Sequence, residues 1–124
     1  MKKEIIADGV DAVPGVLSQA IEANGLVFVS GQIHITPDGE VLGGSVEEKI
    51  SQIMKNASTI LAAAELTLDH VVKATVFVTD LAQMPELNQC YPTYFTAPFP
   101  AREAVCVKAL PLGATIEISF VAAR

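Results

Sequence analysis

The strands of this sequence are apolar on both sides, and that limits the possible folds more than any other feature. In "GLVFVSGQIHI" (25–35), Val27 and Val29 alternate with Leu26 and Phe28. In "HVVKATVFVTD" (70–80), Val72, Ala74, Val76 and Val78 alternate with Val71 and Phe77. Successive side chains on a strand point to opposite faces, and a sheet with one wet face would alternate apolar with polar. A sheet built from these strands therefore needs cover on both faces.

One face has its cover in the sequence. In "SVEEKISQIMKNASTILAAAE" (45–65), Val46, Ile50, Ile53, Met54, Ala57, Ile60, Leu61 and Ala64 recur at steps of three and four, the stripe of an amphipathic helix. Ser45 with Glu48 forms a capping-box pattern at its start. A second helix is predicted over about 84–95, with Pro85 near its start and Pro92 awkwardly inside it, where it removes a backbone hydrogen bond.

Further strands are read at 16–23, 103–110 and 114–122, the first pairing with 25–35 across the turn signal Asn24-Gly25. The order reads β-β-β, α, β, α, β-β. Two helices cover one face of such a sheet, and a second subunit is the simplest cover for the other. The composition agrees: 51% of the 124 residues are apolar and 18% charged, more apolar surface than one small core needs.

Length fits one domain, 1–124. No apolar run reaches the length of a membrane span, and "MKKEIIADGV" turns acidic too soon for a secretory leader. A cytoplasmic protein without a membrane partner is expected. The net charge of −6, without a Lys/Arg cluster, argues against general nucleic-acid binding. Cys90 and Cys106 are too few for a disulfide framework or a zinc site and read as buried thiols. His34 and His70 lack metal-ligand spacing and read as surface or loop residues. Neither a phosphate loop nor a nucleophile elbow is present.

Arg102, in "FPAREAVCV" (99–107), is the one cation placed oddly, at the head of an apolar strand. Alternation puts Val105 and Val107 on the helix-covered side and Arg102, Ala104, Cys106 and Lys108 on the other. On the next strand Ile116, Ile118 and Phe120 take the core side, so Glu117 shares Arg102's side. Ser30 shares a face with Leu26, Phe28 and Gln32 that periodicity does not assign. Two readings stay open: Arg102 and Glu117 form interface salt bridges, or Arg102 is an anion receptor whose guanidinium fork grips a carboxylate.

The motifs "SGQI" (30–33), "VVKATVFVTDL" (71–81), "FPAR" (99–102) and "LPLGATIEI" (110–118), in this order, make the chain resemble the Rid (YjgF) family of enamine/imine deaminases from "GVLSQA" to the C-terminus. The resemblance implies an α+β, chorismate-mutase-like domain: a mixed sheet with two helices on one face, assembled as a homotrimeric barrel with sites between subunits. It implies hydrolysis of 2-imino acids such as 2-iminopropanoate and 2-iminobutanoate to 2-oxo acids and ammonia, with neither metal nor organic cofactor. By the same resemblance, Arg102 matches the residue that grips the substrate carboxylate and Glu117 the acid that orients water. Ser30 and Gly31 line the pocket, and the backbone at Ala104 meets the imine end.

Three positions depart from the family pattern. Leu17 stands where an aromatic hydroxyl is frequent, Ala104 where cysteine is, and Ser119 where a second acid is. Leu17 adds an apolar wall, and Ala104 removes a thiol that hydrolysis by water does not need. A non-catalytic metabolite-binding protein and a ribonuclease or translation inhibitor are the other readings. The acidic surface and the lack of a histidine–lysine pair count against the last.

Overall fold

The computed structural model describes residues 1–124. Six strands form one mixed sheet: β1 (Lys3–Ile5), β2 (Ala20–Ala23), β3 (Leu26–Ile33), β4 (Val71–Val78), β5 (Ala101–Cys106) and β6 (Ile116–Ala123). Their spatial order is β1-β2-β3-β6-β4-β5, and only the β4–β5 pair is parallel. Helices α1 (Val46–Ala63) and α2 (Met84–Cys90) pack on one face. No helix is long and apolar enough to cross a membrane.

Local chemistry sets these elements. The β2–β3 hairpin turns at Asn24 (φ 52°) and Gly25 (φ 77°), both in the left-handed region that a two-residue hairpin demands. At the start of α1, the Ser45 hydroxyl accepts from the Glu48 amide (3.1 Å) and Glu48 Oε1 accepts from the Ser45 amide (3.1 Å). The α1 stripe Ile50, Ile53, Met54, Ala57, Ile60 and Leu61 is fully buried. It packs in one core with Val27, Val29, Ala74, Val76, Val78, Ile116, Ile118 and Phe120.

The second helix is shorter than expected. It ends at Cys90, and Pro92 sits in the first turn of a separate 3-10 segment, Tyr91–Tyr94. A missing backbone N–H is harmless at the start of a helical turn, which accounts for Pro92. The 16–23 strand shrinks to Ala20–Ala23, and the first of the three leading strands is β1. An irregularity between Val71 and Lys73 puts Val71 in the core and leaves Val72 46% exposed, so these two do not alternate as read from the sequence.

The sheet face away from the helices carries Leu26, Phe28, Phe77 and Val121, none of them buried within one chain. The strands are apolar on both sides, and this chain covers one of those sides.

Candidate active site

The site residues named from the sequence fall into two groups on opposite faces of the sheet. Leu17, Ser30, Gly31 and Glu117 line a single cleft of about 390 Å³. Arg102 and Ala104 lie on β5, a strand whose six residues are all exposed.

Strand register decides the faces. Arg102 stands opposite Ala74, Ala104 opposite Val76 and Cys106 opposite Val78, all core-facing positions of β4. Arg102, Ala104 and Cys106 therefore point to the helix side, and Val105, opposite Phe77, points to the open side at 44% exposure. Glu117 alternates with Ile116 and Ile118, which are buried, and so faces the open side. The expectation that Arg102 and Glu117 share a face is corrected. β5 is an edge strand whose six residues are all exposed, so its apolar residues do not mark the core side.

Within one chain the two charged groups are also far apart. Glu117 and Val105 flank Phe77, two strand spacings apart, and Arg102 lies three residues further along β5. With strands about 4.8 Å apart and a rise of about 3.3 Å per residue, the Cα atoms are about 14 Å apart. They form no ion pair with each other; the two salt bridges are Lys73–Glu103 and Arg124–Glu22.

The Glu117 half of the site is built on a β-bulge. Val29 pairs with Phe120 and Gln32 with Ile118, so Ser30 and Gly31 together oppose Ser119. The extra residue re-aims the strand. Leu26, Phe28 and Ser30 face the open side, whereas Gln32 turns to the core side and is 8% exposed. The Ser30 amide donates to the Gln19 carbonyl (3.0 Å) and its hydroxyl to the Ser18 carbonyl (2.6 Å), which fixes the bulge against the 17–19 segment. That hydroxyl proton is committed to the Ser18 carbonyl.

Gly31 makes room for the acid. A Cβ built on it would collide with Glu117 Oε2 and lie 2.9 Å from Cδ. The carboxylate occupies the space that any side chain would need. It has no hydrogen-bond partner within the chain, and burial raises its pKa above the usual carboxylate value.

The turn Pro111–Gly113 closes the cleft beside Glu117, with Leu112 in the left-handed region (φ 58°, ψ 23°). A buried histidine anchors this turn. The Thr115 amide donates to His34 Nε2 (3.0 Å), which leaves the proton on Nδ1 to be donated to the Leu42 carbonyl (2.7 Å). Lys49 Nζ donates to the Thr115 hydroxyl (2.9 Å). His34 is 2% exposed, not a surface residue, and desolvation holds its pKa below the ordinary histidine value. His70 is half-buried, and its Nδ1 accepts from the Thr67 amide (3.0 Å) at the start of a 3-10 turn.

The Arg102 half rests on an aromatic seat. The guanidinium carbon lies 5.0 Å from the centroid of the Tyr91 ring, within cation–π range. Tyr91 is 4% exposed and leans on Phe95 with centroids 5.0 Å apart. Its hydroxyl is buried with no partner. Sequence reasoning missed Val13, Leu112 and the bulge. Gly31 inside a strand pattern was the available signal for the bulge. Of the two thiols, Cys90 is half-buried and Cys106 exposed, so neither is the fully buried group expected. No three metal-ligating side chains come together.

The arrangement is a mixed sheet with a cleft around a desolvated carboxylate and, on the far face, an arginine with no carboxylate partner. Comparison with known proteins gives the family. The Endoribonuclease L-PSP family model matches residues 11–124. The chain is 43% identical over 124 residues to the chloroplastic Reactive Intermediate Deaminase A of Arabidopsis thaliana, covering 98% of this chain and 66% of that one. It is 36% identical over 125 residues to the 2-iminobutanoate/2-iminopropanoate deaminase of Mus musculus, covering 100% and 93%. Among solved structures, YyfA of the Rid protein family from Yersinia pestis superposes with a TM-score of 0.95 at 38% identity, covering 100% of each chain. The chain belongs to the Rid family.

Proposed function

We propose that this protein hydrolyses 2-imino acids to 2-oxo acids and ammonia at sites shared between copies of the chain in a homotrimer. The observation that carries this reading is Glu117: a half-buried, unpaired carboxylate held against Gly31, with the exposed Arg102 too distant on the same chain to reach its ligand. One copy supplies the Glu117 cleft and its neighbour supplies Arg102. The uncovered sheet face, with Phe28 45% and Val105 44% exposed, is the surface that assembly would bury. The deaminase names of relatives support the reaction class.

In this reading Arg102 of the neighbouring copy takes the substrate carboxylate in two parallel hydrogen bonds. That fixes C2 and its imine nitrogen beside Glu117. The carboxylate accepts a proton as water oxygen bonds to C2, and the proton passes to nitrogen, giving a carbinolamine. Glu117 then takes the hydroxyl proton and returns it to nitrogen. The C=O forms, the C–N bond breaks and ammonia leaves. An imine is already electrophilic, so positioning supplies much of the acceleration. A carboxyl with a raised pKa suits both proton transfers. Ser30 and Gly31 shape the wall, Ala104 presents its backbone to the imine end, and neither metal nor organic cofactor takes part.

The test is release of ammonia and 2-oxo acid from an imine generated in the assay, with wild type, Arg102→Ala and Glu117→Gln, and the assembly mass measured by analytical ultracentrifugation. Loss of turnover in both variants and a trimeric mass are expected. Unchanged rates sink the reaction, and a monomer that turns over imine sinks the shared site.

A further inference from the structure

The cleft beside Glu117 holds more aliphatic surface than a three-carbon acid can use. Val13 (42% exposed), Leu17 (48%) and Leu112 (71%) all stand around it with much of their surface open. Leu112 does so from a left-handed backbone position (φ 58°), a conformation that costs a leucine free energy and that glycine would adopt without strain. The turn is not slack: Ala114 donates to the Pro111 carbonyl (3.1 Å) and Thr115 to buried His34 (3.0 Å). A strained, fastened, exposed leucine at the mouth of a cleft gains nothing from burial within its own chain.

Charge gives the orientation of a ligand. The ionisable groups lining this cleft are Asp11 and Glu117, both acids. A substrate carboxylate is repelled from this wall and belongs toward Arg102; the C=N end meets Glu117; the side chain is left for the aliphatic rim. The cleft, about 390 Å³, lies within the roughly 300–1,000 Å³ of ligand pockets, which leaves room for more than a methyl group.

We infer that Val13, Leu17 and Leu112 form a side-chain subsite that selects 2-imino acids with branched aliphatic side chains over 2-iminopropanoate. This rests on the deaminase reading above and names the substrate class for it.

The imines are generated from L-leucine and from L-alanine by an amino-acid oxidase, and kcat/KM is measured for wild type, Leu112→Ser and Val13→Ser. Calorimetry compares 4-methyl-2-oxopentanoate with pyruvate on the same proteins, and melting curves check that each variant folds. Wild type is expected to favour the leucine-derived imine by about tenfold or more, the scale of one to two methylenes in an apolar pocket. Either serine variant is expected to shrink that ratio several-fold, and the ratio of oxo-acid affinities with it. Equal kcat/KM for the two imines in wild type, or a ratio unmoved in two folded variants, overturns the subsite while leaving the deaminase reading in place. Tighter binding of the branched oxo acid, erased by Leu112→Ser, with no imine turned over, keeps the subsite and removes the deaminase.

Discussion

Replacing Gly31 with alanine separates the position of Glu117 from its chemistry. The added Cβ would fall on the carboxylate, colliding with Oε2 and lying 2.9 Å from Cδ and 3.2 Å from Cγ. Gly31 is not in the left-handed region, so the backbone accepts alanine and the conflict is with the carboxylate alone. The obstructing atoms are the far end of a flexible side chain, which swings out toward solvent. Stability therefore changes by no more than about 1 kcal/mol, the ordinary scale of a mild substitution. A carboxylate moved out of the cleft loses its desolvation, and its pKa falls back toward the ordinary carboxylate value. Under the proposed mechanism, imine turnover drops about 100-fold, as expected for a misplaced reacting group. The assays are NMR titration of the Glu117 side-chain carboxyl and imine turnover, with Gly31→Ala, Glu117→Gln and the double variant compared. Both changes act through one carboxylate, so the double variant should be no worse than Glu117→Gln alone. A Gly31→Ala protein with an unshifted Glu117 titration and normal turnover would refute the reasoning.

Other consequences follow from individual side chains. Glu117's raised pKa means that the folded chain holds that proton to higher pH than the unfolded one. Stability therefore falls as pH rises from 4.5 through the raised value, and Glu117→Gln should unfold at higher urea than wild type near neutrality, with the gain gone below about pH 4. His34's pKa is lowered from 6.5, so its contribution is present above that pH and lost as pH falls toward the folded value. Nitrogen-detected NMR should show a neutral ring with the proton on Nδ1 at pH 6.5 and somewhat below; a ring charged there, or protonated on Nε2, contradicts the Thr115 bond. Tyr91→Phe keeps the ring under Arg102 and removes an unpaired hydroxyl, so stability should hold or rise by about 1 kcal/mol. Tyr91→Leu removes the ring, and under the proposed mechanism KM for the imine should rise about two- to fivefold, the scale of an exposed cation–π contact. Phenylalanine should restore KM; equal KM in both variants would show that the seat is irrelevant.

The helical stripe and its capping box were readable because each depends on residues three or four apart, and α1 runs Val46–Ala63 inside the 45–65 reading. Strands 25–35 and 70–80 became Leu26–Ile33 and Val71–Val78 for a similarly local reason: β-branched runs bounded by turns. The grouping of the candidate residues was legible only in part. Leu17, Ser30, Gly31 and Glu117 do meet, yet Arg102 stands on the other face. A single extra residue at Ser30–Gly31 reverses the alternation after it, and the parallel pairing of β5 with β4 sets Arg102 opposite core-facing Ala74. Neither event leaves a periodic trace. Burial of His34 was invisible as well, because its partners Leu42 and Thr115 are 8 and 81 residues away.

An apolar two-sided sheet with one helical cover is legible in the residue order alone, since alternation and helical spacing are properties of neighbours along the chain. The side each charge faces is set in three dimensions, because strand register and bulges are fixed by packing between distant segments. That difference places Arg102 and Glu117 on opposite faces of one sheet, where a small acid cannot touch both within a single chain.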